Sequence, residues 1–165
     1  MVLKMAVFPI RHLPDPILRQ KSKRVRIIDG SIKKLIADMI ETMHSAGGVG
    51  LAAPQIGTSL RVVVVGIPGE EVIVLINPKL VRQRGERLVT EGCLSVPGYV
   101  GEIRRAQSLT VKGLNPSGKE IRIKADGLLA QAVEHEINHL DGVLYIDQLD
   151  SMDKLRKIEL EETEF

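Results

Sequence analysis

Two histidines four residues apart, in His135-Glu136-Ile137-Asn138-His139, are the part of this sequence best equipped for chemistry. On an α-helix, residues i and i+4 project from nearly the same side, one turn apart, so both imidazoles can grip one metal ion. Glu136 lies about a hundred degrees round the helix from His135. It is badly placed as a third ligand to that ion but can reach a water bound there, acting as general base and then as general acid. A catalytic centre of this kind takes three protein ligands and keeps one position for water.

The third ligand must come from elsewhere in the chain. Cys93 is the only cysteine, so it cannot form an internal disulfide. It is a buried apolar filler, a reactive thiol or a metal ligand. It sits in Glu91-Gly92-Cys93-Leu94-Ser95, a segment punctuated by Gly92, Pro97 and Gly98, where a turn could aim the thiol at the helix. Beside a two-histidine helix the ligand reading is the stronger one. One thiolate and two imidazoles suit Zn2+ or Fe2+ and disfavour Mg2+ and Ca2+; the donor set does not choose between zinc and iron.

A third segment, Gly48-Val49-Gly50-Leu51-Ala52-Ala53-Pro54-Gln55, lacks the spacing of a phosphate-binding loop. Its glycines, Gly48 and Gly50, allow backbone to approach an extended ligand closely, and Gln55 supplies an amide N–H to a developing oxyanion.

The elements that must position these residues follow from periodicity. From Ser31, the apolar residues Ile32, Leu35, Ile36, Met39, Ile40 and Met43 recur at helical spacing and are closed by Gly47 and Gly48, which predicts a helix packing one face inward. Leu60 to Val65 and Val72 to Ile76 read as strands, the second ended by Asn77-Pro78. Leu109 to Leu114 and Lys119 to Lys124 flank Asn115-Pro116-Ser117-Gly118 and read as a hairpin. Asp126 is placed to cap a second, core helix carrying Leu128, Leu129, Ala132, Val133, Ile137 and Leu140, with Gly142 to stop it. Ser151 is placed to cap a short final helix (Met152, Leu155, Ile158) that trails into the acidic end Glu161 to Glu164. The basic stretch Arg19 to Arg26 reads as a solvated surface loop. Together these predict an α+β fold, with antiparallel strands packed around a central metal-binding helix, a helix in the N-terminal half and a short C-terminal helix.

At 165 residues and 44% hydrophobic content the chain is expected to form a single domain over 1–165. Twenty-three Lys+Arg against 21 Asp+Glu, a formal +2, create no large overall field that commits the protein to nucleic acid or a membrane surface. Aromatics at 2% argue against reading bases by stacking. No apolar run is long enough to span a bilayer, and Met1 to Ile10 shows no cleavable signal pattern, so a cytoplasmic location is the default expectation.

Taken together and in this order, the segments Gly48–Gln55, Glu91–Ser95 and His135-Glu-Ile-Asn-His-Leu-Asp-Gly142 resemble the three signature motifs of peptide deformylases, with likeness extending from Pro14-Asp15-Pro16-Ile17-Leu18 through the metal helix. The resemblance implies a compact α+β fold and a ferrous ion, with Zn2+ or Ni2+ as substitutes. It also implies N-formylmethionyl peptides and nascent chains as substrates, attacked by a metal-bound hydroxide with release of formate. Position by position it implies Cys93, His135 and His139 as metal ligands and Glu136 as acid/base. Gln55 and the Leu94 N–H match the oxyanion donors, and Glu91 with Arg105 a supporting pair. A methionine pocket lined by Val49, Leu128 and Ala132 is expected, with the peptide pairing strand-like to the Val49-Gly50 backbone. Two positions depart from the pattern. Asn138 stands where many members carry aspartate, removing a charge from the ligands' surroundings. The C-terminal extension is short and acidic, which weakens carry-over of ribosome docking through a C-terminal helix. Rival readings are another metal-dependent amidase or a small zinc peptidase, whose common His or Glu third ligand Cys93 disfavours, and a structural or regulatory metal module, which needs a fourth ligand that neither His12 nor His44 is spaced to supply.

Overall fold

Val62-Val63-Val64-Val65 is buried along its whole length, and the cause of that burial sets the architecture. A strand covered on one face alternates apolar with polar residues; one covered on both need not. In the computed structural model, which describes residues 5–158, Val63 and Val65 face one apolar cluster and Val62 and Val64 another. Helix α2 (Gly127–Leu140) closes the first through Val133, Ile137 and Leu140. Helix α1 (Gly30–Ser45) closes the second through Ile32, Ile36, Met39 and Met43.

Between the helices lies one antiparallel sheet in the order β1 (Gly50–Ala52), β2 (Val62–Val65), β3 (Ile73–Cys93), β4 (Val96–Leu114), β5 (Glu120–Asp126), with β6 (Arg156–Lys157) paired to β4. The α+β architecture with a central helix on the sheet is as expected. Helix α1 begins where Asp29 accepts hydrogen bonds from the amides of Ser31 (3.0 Å) and Ile32 (3.2 Å), satisfying two of the donors a helix start leaves open. Among the described residues no helix is long and apolar enough to cross a membrane.

Three expectations need correction. Asn77-Pro78 does not end a strand: β3 runs on through a register shift between Ile76 and Lys79. Asn77, at φ 53, makes the irregularity, and its side-chain amide bonds both the N–H and the C=O of Val25 (2.8 and 2.9 Å), tying the N-terminal segment to the sheet. The Arg19 to Arg26 stretch is only partly solvated, because Ser22 donates to the Leu140 carbonyl at the end of α2 (2.7 Å) and both Ser22 and Val25 are buried. The expected final helix is a single 3₁₀ turn, Met152–Lys154, followed by β6. Pairing of Arg156 with Val100 on a strand already in the sheet wins over a helix too short to bury a face of its own. Glu161 to Glu164 lie outside the described residues.

Candidate metal centre

Cys93 is the last residue of β3, and a two-residue turn, Leu94-Ser95, brings the chain back as β4 with Cys93 opposite Val96. The expected turn therefore lies after the thiol. The thiol is fully buried, accepts from the Ser95 amide at 3.4 Å and lies 3.3 Å from His139 Nε2. His135 and His139 project from successive turns of α2, their rings 4.9 Å apart at 67°. The candidate ligand atoms of Cys93, His135 and His139 lie within 4.8 Å of one another, all three residues buried. Ligands held at roughly 2.0–2.3 Å around one ion require such convergence, so this donor set fits a single soft or borderline divalent cation. Burial holds the His139 imidazole well below its ordinary pKa, in the neutral form a ligand needs.

The face of α2 that carries the histidines is held by an ion network. Glu91 accepts from His135 Nδ1, which directs the other ring nitrogen of His135 inward. Arg105, fully buried, donates to both oxygens of Glu91, through Nε at 2.9 Å and through Nη2, and its Nη1 donates to Asn138 Oδ1 at 2.7 Å and Glu134 Oε2 at 3.3 Å. Burial opposes ionisation of Glu91, yet the adjacent His135 and Arg105 outweigh it and bring its carboxyl down to about 2. The Glu91–Arg105 contact is as the resemblance implies. Gln131, Glu134 and Tyr145 were not singled out from sequence. Gln131 donates to Glu91 (3.3 Å), Glu134 accepts from the Ala106 amide (2.9 Å), and Tyr145 stacks on His135 at 6.4 Å. Gln131, at i−4 from His135, was open to discovery by helical spacing alone; Tyr145 carries no such signal.

Glu136 is fully buried, and neither of its oxygens has a hydrogen-bond partner among the described residues. Burial pushes its carboxyl up to about 7, His135 opposing and Glu91 adding to the rise. An ionisable group left without a protein partner in the interior is costly unless something else completes it; a carboxyl poised near neutrality beside a ligand cluster is suited to taking and returning a proton.

The glycine segment meets this carboxylate from the other side. A Cβ on Gly50 would overlap the Glu136 carboxylate, and one on Gly48 would stand 2.8 Å from Leu94 Cδ1. The protein's own Glu136 and Leu94 thus occupy the space a side chain at either glycine would take. Gln55 is buried, its Oε1 accepting from the Ala52 amide (2.9 Å) while its Nε2 donates to Ser95 Oγ (3.1 Å) and lies 3.7 Å from Cys93 Sγ. Leu94 is buried at the turn beside the thiol. The structure thus gathers Gln55, Cys93, Leu94, His135, Glu136, His139 and Gly50 into one place. The residues expected around methionine are less uniform: Val49 is buried, Ala132 is wholly enclosed in the α2 cluster, and Leu128, at the start of α2, is 41% exposed.

Comparison with known proteins agrees with this geometry. Residues 7–155 match the sequence profile of the polypeptide deformylase family. The chain is 59% identical over 155 residues to a peptide deformylase of Dehalococcoides mccartyi (strain CBDB1), covering 93% of each chain. It is 51% identical over 146 residues to one of Halothermothrix orenii, covering 88% of this chain and 95% of that one. Among solved structures, a peptide deformylase from Legionella pneumophila superposes with a TM-score of 0.87 at 46% identity, covering 90% of this chain and 89% of that one. One from Synechococcus elongatus in complex with actinonin gives 0.86 at 37% identity, covering 93% and 86%. The chain belongs to the polypeptide deformylase family, whose members are metal-dependent hydrolases acting on formylated nascent peptides.

Proposed function

We propose that Cys93, His135 and His139 hold one divalent ion, Fe2+ in the native enzyme with Zn2+ or Ni2+ as substitutes, and that Glu136 serves as acid/base in hydrolysis of N-formylmethionyl peptides to formate and a free N-terminus. The observation that carries this reading is a buried carboxylate with no hydrogen-bond partner among the described residues beside three convergent buried ligands. When bound, the ion lowers the pKa of water and polarises the formyl carbonyl. Glu136 takes the proton released as water attacks the formyl carbon. Gln55 Nε2 and the Leu94 N–H donate to the oxygen that becomes negative. Glu136 then delivers its proton to the departing amine nitrogen as the carbon–nitrogen bond breaks. Val49, Leu128 and Ala132 line the pocket for the methionine side chain, and the backbone at Gly48 and Gly50 lets the peptide approach closely. Residues 1–165 act as one catalytic unit in the cytoplasm, where formylated chains are made.

The experiment is anaerobic purification with Fe2+, then measurement of formate release from formyl-Met-Ala-Ser beside acetylated and unformylated peptides. Formyl-selective release is expected. Metal retention without release for Fe2+, Ni2+ and Zn2+ alike would sink the reading. Actinonin, bound in the Synechococcus relative, is expected to inhibit.

A further inference from the structure

The register of β3, β4 and β5 sets three rows of side chains on one face of the sheet: Lys79, Lys112 and Arg122; then Arg82, Thr110 and Lys124; then Arg84, Ser108 and Asp126. Successive side chains alternate between faces, and the shift between Leu80 and Arg82 keeps these on the same side. The intervening Leu109, Val111 and Ala125 point the other way, into the cluster under α2. Lys79, Arg82, Arg84, Arg122 and Lys124 are exposed and form no ion pair among the described residues; Lys112 reaches only Glu120, at 4.0 Å. Six cations thus face three carboxylates, Glu120 and Asp126 on β5 and Glu86 just beyond Arg84 on β3, an excess of three on a chain whose formal net charge is +2. Like charges directly opposite across strands repel, and here Lys79, Lys112 and Arg122 stand side by side across three strands. The face is also concave, with a cleft of about 340 Å³ bordered by Arg82, Arg84 and Lys124 and another of about 260 Å³ bordered by Lys79 and Lys112.

We propose that this face docks the phosphate backbone of duplex RNA. Rows two residues apart repeat every ~6.7 Å along the strands, and neighbours in a row stand ~4.8 Å apart, so cations recur in two directions with the Ser108 and Thr110 hydroxyls between them. A repeating anion with several acceptor oxygens per charge fits that lattice. With aromatics at 2%, the contacts are to backbone and carry no base sequence. None of the nine row residues is apolar, so the face lacks what membrane insertion needs. The choice of RNA rests on the deformylase reading: an enzyme acting on nascent N-termini works beside the RNA-rich particle that makes them. Because α2 packs on the opposite face of the sheet, docking here leaves the ligand cluster open to its peptide.

The test uses the metal-loaded full chain and a fluorescein-labelled RNA hairpin, read by anisotropy between about 50 and 200 mM salt. The triple variant Arg82→Gln, Arg84→Gln, Lys124→Gln is expected to bind at least about tenfold more weakly, with a log affinity against log salt slope shallower by about 3. Its formate release should be unchanged. RNA binding equal to wild type in the folded variant would overturn the docking surface, as would equal, variant-sensitive binding to phosphatidylglycerol vesicles or polyglutamate, which would assign another partner. Absent formate release with variant-sensitive RNA binding intact would overturn the deformylase reading alone. Intact release with variant-insensitive RNA binding would overturn the docking surface alone.

Discussion

Gly50 and Glu136 share a space that only one side chain can fill: a methyl group on Gly50 would overlap the Glu136 carboxylate. Gly50→Ala is therefore expected to push Glu136 aside while leaving Cys93, His135 and His139 where they are. Misplacing a catalytic group by an ångström costs about a hundredfold, so kcat should fall by about that factor at full metal occupancy. Formate release beside metal content by atomic absorption checks it; loss of metal in step with activity would show that the glycine supports the ligands instead.

Glu136→Gln keeps the shape and removes the proton carrier. A positioned acid/base contributes about 10²–10⁴-fold, and a drop of that size in kcat with the ion retained is expected. Gln55→Ala should cost about 2.7–4 kcal/mol of transition-state stabilisation, again with metal bound. Wild-type turnover in either variant refutes the role assigned to that residue.

Arg105 is fully buried and satisfies Glu91, Glu134 and Asn138 at once. Removing one partner of a buried ion pair costs about 3–5 kcal/mol because the other charge is stranded, which for a domain of this size lowers Tm by roughly 10 °C. Arg105→Met is expected to show that loss in thermal unfolding of the metal-free protein. Arg105→Lys should recover only part of it, since a lysine lacks the fork that spans both Glu91 oxygens. Equal Tm for Arg105→Met and wild type would show that the network contributes nothing to stability.

Asp147 joins the C-terminal turn to the N-terminal segment, accepting from Arg19 at 2.6 and 3.1 Å and from the Leu144 amide at 2.9 Å. Burial raises its pKa, but those bonds outweigh it and hold the carboxyl below its ordinary 3.8. A depressed folded-state pKa contributes stability that is fully present above the unfolded value and is lost as pH falls through the folded one. Asp147→Asn should thus destabilise by no more than about 1 kcal/mol at pH 7. The difference should shrink below pH 3.8 and vanish once the folded carboxyl is protonated. Urea midpoints for both proteins across that range test the sign; a gap that widens in acid would contradict it.

Much of the site was legible because its information is local. His135 and His139 share a helix face by spacing alone, and Glu136 is turned from them by the same geometry. The alternation of Ile32, Ile36, Met39 and Met43 marked α1, and the unbroken valines of β2 marked a strand. Misreadings fell where pairing overrode local signals. Asn77-Pro78 looks like an end, yet β4 offers hydrogen bonds on the far side of the irregularity and β3 continues to Cys93. Met152 to Ile158 looks helical in outline, but the edge at Tyr99 and Val100 was a better partner than so short a helix.

By itself, then, the sequence determined the ligand types, the helix that carries two of them and the family to which the chain belongs. Tertiary structure alone decided which groups meet across the chain. Cys93 lies 46 residues from His139 yet 3.3 Å from its ring. Gly50 has no side chain because Glu136, from another element, needs the room. The cations of β3, β4 and β5 form one face only because the strand register brings them into rows, on a chain whose total charge is close to balanced. Periodicity records which way a residue points within its own element, whereas the identity of its neighbour is set by how elements pack. That information is distributed over the whole chain and has no signature at any one position.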